Sequence, residues 1–153
     1  MRYASLGFAN LQRAYLQLAN LQEADLQGAY LQGAKLPLAN LQHAKLQLAN
    51  LQEAKLLYAN LQQANLQGAY LQEANLQYAN LQEADLQQAN LRHAKLQLAN
   101  LQHANLLWAD LQGADLTKAK NLTQDQIKTA CGDENTKLPA NPEGLIPPPP
   151  CPQ

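Results

Sequence analysis

Ala19-Asn20-Leu21-Gln22-Glu23-Ala24-Asp25-Leu26-Gln27-Gly28 holds the plan of the whole chain: a leucine at every fifth residue, with an alanine two residues ahead of it. The pattern extends outward without a miss, leucine from Leu6 to Leu116 and alanine from Ala4 to Ala119. A step of five cannot line one face of a flat strand, because side chains alternate faces and an odd step sends successive leucines to opposite sides. On an α-helix the same step advances about 140° net, so the leucines would spiral around the axis instead of forming a stripe. What satisfies the spacing is a chain that turns about a quarter circle every five residues, with Leu and Ala inward and the rest outward. Four such segments close a square coil of about twenty residues, and coils stack by strand-like pairing at about 4.8 Å.

The outward positions support twenty over other multiples. At that step the residues just ahead of one set of leucines are Asn20, Asn40, Asn60, Asn80 and Asn100. The residues two after another set are Leu18, Leu38, Tyr58, Tyr78 and Leu98, whereas a step of ten mixes that column with Gly28, Leu48, Gly68 and Gln88. The unit Ala-Asn-Leu-Gln-x, as in Ala19-Asn20-Leu21-Gln22 and Ala99-Asn100-Leu101-Gln102, resembles the pentapeptide-repeat family over residues 4 to 120. The resemblance implies an all-β solenoid, a right-handed quadrilateral β-helix of about six 20-residue coils. It implies little about activity, because shape does not fix task.

Composition shifts after the repeats, so the chain divides into a repeat solenoid over 1–120, a capping segment over 121–133 and a proline-rich tail over 134–153. Thr123-Gln124-Asp125-Gln126 reads as a capping box that opens a short amphipathic helix, with Ile127, Ala130 and Cys131 on one face and Gly132 as its stop signal. Such a helix would cover the apolar end and unpaired edge of the last coil. Leu145-Ile146-Pro147-Pro148-Pro149-Pro150 predicts an extended, polyproline-like tail. At the other end, Ala4, Leu6 and Ala9 have nothing obvious above them. Stacking on another molecule, fraying and removal of an upstream segment all remain open.

Formal net charge is −1, and the repeats alone carry nine Lys/Arg against eight Asp/Glu. That balance announces neither a nucleic-acid binder nor an acidic surface. No apolar run is long enough to span a bilayer, and Met1-Arg2-Tyr3 leads directly into the repeats without a signal-peptide core. The chain therefore reads as cytoplasmic, with a processed or exported precursor left open. A disulfide between Cys131 and Cys151 would close a loop of about twenty residues, while in a reducing cytosol both are expected as free thiols, Cys131 as a small apolar residue of the cap.

A Leu/Ala interior leaves no room for a substrate, so function is expected on the outside. No catalytic residue, cofactor or metal site is predicted. The histidines come nearest: one column reads Glu23, His43, Gln63, Glu83, His103, and another sets His93 near Glu73. Two ligands without a third rarely hold a metal, so these read as exposed carboxylate–imidazole pairs. The column Leu18, Leu38, Tyr58, Tyr78 and Leu98, with Leu57 beside it, is the most informative outward feature. Flanked by the basic column Lys35, Lys55 and Lys95, it reads as an interface, with simple stiffening of the coil as the rival explanation. Its occupant is left open among a symmetric dimer, a foreign protein and the chain's own tail.

The leading expectation is a non-enzymatic scaffold or protein-interaction module acting through its outer faces. The resemblance carries an alternative, since some members that confer quinolone resistance resemble DNA and inhibit or protect DNA gyrase. The near-neutral charge and the lysine column stand against it, because they would repel a cationic DNA-binding surface.

Overall fold

A computed structural model describes residues 1–140 and 144–152. Each pentapeptide contributes one pairing residue and one turn. The residue ahead of each leucine pairs in parallel with the residue twenty positions on, as Asn20 with Asn40 and Asn40 with Asn60. Four such ladders start at Ser5, Asn10, Tyr15 and Asn20 and run the length of the repeats. Each rung is made by backbone groups alone: Lys55 N–H donates to the Ala34 carbonyl at 2.9 Å, and Leu56 N–H donates onward to the Asn75 carbonyl at 2.7 Å.

Between pairing residues the chain turns a corner. The alanine N–H donates back to the leucine three residues earlier, 3.0 Å from Ala54 to Leu51. The second corner residue takes positive φ, 58° at Tyr58 and 59° at Tyr78, which is the type II turn. Glycine adopts this conformation freely, while other residues pay about 1–2 kcal/mol. Most corners here are not glycine, so the ladders and the core must offset that strain at nearly every quarter turn.

The core is one continuous column of inward leucine and alanine. The inward leucines from Leu21 to Leu116 are at most 2% exposed, and no buried residue is polar or charged among the described residues. In the first coil the same positions are less covered: Ala4, Leu6, Leu11, Ala14 and Ala19 are only partly buried.

After Lys120 the chain forms helix α1, Gln124–Thr129, with the capping box that the sequence suggests. Gln126 serves two structures at once. Its Oε1 accepts the Thr123 N–H at 2.9 Å, and its Nε2 donates to the carbonyls of Leu101 at 2.7 Å and Ala104 at 2.9 Å. Ile127 is fully buried and Ala130 is 2% exposed, so the helix seats on the last coil. Two ladders then resume, Asp110 pairing with Cys131 and Asp115 with Lys137. Thr136 Oγ1 donates to the Leu111 carbonyl at 3.0 Å and fixes this additional turn.

Two sequence expectations are corrected at this end. Cys131 and Cys151 are not free thiols: their sulfurs are bonded, closing a separation of 20 residues, and Cys131 is half-buried. A reducing compartment would keep both as thiols, and spacing alone does not show that the tail returns to Cys131. Gly132 does not stop the helix, which ends at Thr129. Instead a Cβ on Gly132 would lie 2.6 Å from Pro148 Cγ and 2.7 Å from Thr136 Oγ1, so close packing against the tail demands glycine there. Among the described residues the tail, one of three occupants left open for the apolar column, lies elsewhere. It crosses the last turn, where Gly132 N–H donates to the Pro149 carbonyl at 2.9 Å and the Gln124 side chain binds both backbone groups of Ile146. Pro148 is buried and Leu145 packs against the core.

Candidate interaction face

The column Leu18, Leu38, Tyr58, Tyr78, Leu98 occupies one corner of the coil at every level, each residue at positive φ. The corner turn drives these side chains outward: Leu18 is 73% exposed, Leu38 56%, Tyr58 51% and Tyr78 43%. Leu98 is half-buried. Tyr58 and Tyr78 stack with ring centroids 4.6 Å apart and planes 19° apart, which matches the coil spacing. The face they offer a partner is therefore a row of ring edges and leucine methyls.

The flanks differ from the sequence expectation in one respect. Between the apolar column and the lysines runs the column Gln17, Pro37, Leu57, Gln77, Gln97, so Lys35, Lys55 and Lys95 stand one position further out. Leu57, half-buried, widens the apolar surface at the level of Tyr58. Lys35 is not free: its Nζ donates to Tyr15 Oη at 2.9 Å and lies 4.0 Å from the Tyr15 ring centroid. That hydrogen bond, with the lysine charge behind it, holds the Tyr15 phenol below its ordinary pKa. Lys55 and Lys95 are exposed.

On the other flank stands the asparagine ladder. Each Oδ1 accepts the N–H two residues on, as Asn60 does from Gln62 at 3.2 Å. Amides also bond along the column, Asn80 to Asn60 at 3.4 Å and Asn121 to Asn100 at 2.8 Å. Spending its hydrogen bonds internally, this ladder is a neutral border.

The carboxylate–imidazole pairs do not form. Glu23 pairs with Arg2 at 3.2 Å, and Glu83 accepts from Gln63 Nε2 at 2.7 Å. His93 lies over Gly113, where an added Cβ would meet its Nδ1 at 2.3 Å.

Two features at the far end escaped the sequence reading. Trp108, 63% exposed, borders a cleft of about 530 Å³ with Leu107, Thr129, Cys131 and Pro149. Leu107-Trp108 stands where most repeats carry glutamine and a small or polar residue, and that departure was the available signal. Asp110, Cys131 and Cys151 are the second feature: one ligand atom from each lies within 4.8 Å of the others. No sequence signal could join them, since Cys151 arrives from the tail.

The sequence profile of pentapeptide repeats matches the chain over residues 1–37, 38–72, 69–106 and 79–118. No curated protein matches it. Among solved structures, the chain is similar to a pentapeptide-repeat protein of the Arabidopsis thaliana thylakoid lumen, at 33% identity and TM-score 0.66, over 73% of this chain and 80% of that one. It is also similar to a pentapeptide-repeat protein of Nostoc PCC 7120, at 38% identity and TM-score 0.56, over 73% and 75% of the two chains. A plasmid-mediated fluoroquinolone resistance protein, QnrB1, is 20% identical with TM-score 0.44 over 82% and 65%, too distant to bear on function. No helix among the described residues is long and apolar enough to cross a membrane.

Proposed function

The chain belongs to the pentapeptide-repeat family, and from that premise we propose that it is a non-enzymatic interaction module, binding a protein partner or a second copy of itself through the corner column Leu18, Leu38, Tyr58, Tyr78 and Leu98. The observation that carries this reading is what the chain places at its corners. Glycine fits the corner without strain, and Gly28, Gly33, Gly68 and Gly113 show that the fold accepts it there. In the column that includes Gly28 and Gly68, the large residues fill the glycine gaps, Phe8 lying over Gly28 and Leu48 over Gly68. The proposed face has no such gaps: five large apolar residues follow one another, each at the strained conformation and most of them open to water. Folding gains little from that arrangement, and a partner that covers it gains contiguous apolar area.

Asn20 to Asn100 and the outlying Lys55 and Lys95 frame the column with neutral and basic groups, which favours an apolar partner surface with a carboxylate edge. The same lysines weigh against a surface that imitates DNA. For the compartment, the Cys131–Cys151 bond supports an oxidising environment for this form of the chain, because such bonds are reduced in a cytosol.

The test is a Tyr58→Gly, Tyr78→Gly variant, which keeps the corner conformation and removes the rings. Sedimentation equilibrium of the wild type is expected to show a mass that rises with concentration, and the folded variant is expected to stay monomeric. A wild type that self-associates equally well after the substitution removes the column from the interface. A wild type that remains monomeric moves the reading to a foreign partner, with the same variant as the control in binding.

A further inference from the structure

We propose that the reduced chain holds a thiophilic divalent cation, Zn²⁺ by its chemistry, between Cys131 Sγ, Cys151 Sγ and a carboxylate oxygen of Asp110. The three ligand atoms already lie within 4.8 Å of one another, and all three residues are half-buried. Asp110 and Cys131 are successive rungs of one ladder, so their side chains leave the same face of adjacent coils. Two of the three ligands are thus set by the backbone bonds of the solenoid, Leu111 N–H to the Cys131 carbonyl at 2.8 Å and Cys131 N–H to the Ala109 carbonyl at 2.9 Å. The third, Cys151, approaches Asp110 Oδ1 to 3.4 Å from the tail.

The composition of the ladder points the same way. Its earlier rungs are Asn10, Tyr30, Asn50, Tyr70 and Asn90, and the carboxylate enters at Asp110, the rung beside the cysteine. Asp110 Oδ1 also accepts the Gln112 N–H at 3.0 Å, an outer contact of the kind that orients a ligating carboxylate. Two thiolates and a carboxylate this close repel one another as bare anions, and a divalent cation relieves that repulsion. Sulfur with one oxygen suits Zn²⁺, which takes four ligands. Cys131 also lines the cleft beside Trp108 and Thr129, from which a water would supply the fourth ligand.

The disulfide and the cation exclude each other. A dithiol reductant delivers two electrons and two protons to the Cys131–Cys151 bond, which breaks to two thiols while the dithiol closes to its own disulfide. Cation binding then forms two sulfur–metal bonds and releases the two thiol protons. Either arrangement ties the tail to the last turn, so the same cap is locked under oxidising conditions by a covalent bond and under reducing conditions by a metal.

The full chain is reduced anaerobically, freed of reductant and titrated with Co²⁺, whose thiolate charge-transfer and tetrahedral ligand-field bands report sulfur coordination. One equivalent is expected to bind, to be displaced by Zn²⁺, and to be refused by the oxidised chain. Asp110→Asn, which removes a direct carboxylate ligand, is expected to weaken binding at least as much as loss of an outer contact does, about 10-fold or more. Asparagine already serves at the same rung position in Asn50 and Asn90, so that variant keeps the ladder, and circular dichroism checks it. A reduced wild type that binds Co²⁺ no better than the Cys131→Ser, Cys151→Ser double variant overturns the site. An Asp110→Asn variant with undiminished affinity overturns the role of Asp110.

Discussion

From Leu21 to Leu116 every coil is held by the same backbone bonds over the same leucine and alanine layer, whereas the described residues after Lys120 add to a few backbone rungs a set of individual side-chain contacts. Gln126 caps two carbonyls, Gln124 clasps Ile146, Thr136 reaches Leu111, and Cys151 bonds to Cys131. Exchanging outward residues in the body leaves its rungs intact, because those belong to the main chain. Exchanging one residue in the last turn removes a contact that nothing else replaces. Surface chemistry is therefore free to vary along the rod, and the ligand-like cluster at Asp110, Cys131 and Cys151 arises where regularity ends.

The largest effect is expected inside the body. Leu71, fully buried, leaves a cavity as Leu71→Ala that costs about 2–5 kcal/mol, read as a fall in the denaturant midpoint of the whole solenoid. A fall confined to the C-terminal turn would show that the body does not unfold as one unit. Next is the cap: the Cys131→Ser, Cys151→Ser variant loses a loop closure worth about 3 kcal/mol to that turn. Hydrogen exchange should quicken at Cys131, Gly132 and Lys137 positions and stay slow at the rungs of Asn60 and Asn80. Equal quickening in both regions would erase the distinction between them.

Smaller still is Gln126→Ala, which removes half of the capping box and the bonds to Leu101 and Ala104, at about 1–3 kcal/mol. It should loosen α1 while leaving the far-UV signal of the coils unchanged. The smallest stability change is expected at the proposed face, where Tyr58→Gly relieves about 1–2 kcal/mol of corner strain and loses about 0.5–1.5 kcal/mol of ring stacking. A change of more than about 2 kcal/mol in unfolding free energy would mean the ring stack is structural after all.

Acid should separate the two regions without mutation. The Gly113 N–H bond, then those of Thr136 and Asn135, outweigh desolvation and hold the Asp133 carboxyl below its ordinary pKa. A group whose folded pKa is depressed contributes stability above its unfolded pKa and loses it as pH falls through the folded value. The C-terminal turn should therefore loosen below about pH 4, and Trp108 fluorescence reports it. Asp133→Asn should flatten that response; an unchanged acid transition in this variant would assign it to another group.

The apolar column was legible in the sequence because a fixed period of twenty converts spacing into adjacency. The capping box was legible because Thr123 and Gln126 act across three residues. The failed histidine pairs show the limit of the same reasoning. Column membership places Glu23 near His43, yet Arg2 takes the carboxylate instead, since exposed long side chains choose among several neighbours.

By itself the sequence determined the solenoid, its period, its Leu/Ala core and the corner column, because every one of these follows from short-range repetition. The strained corner conformation, the Gly132–Pro148 contact, the path of the tail over the last turn and the meeting of Cys131, Cys151 and Asp110 were decided by tertiary structure. These depend on where a nonrepeating segment returns after leaving the rod, and no periodicity encodes that distance.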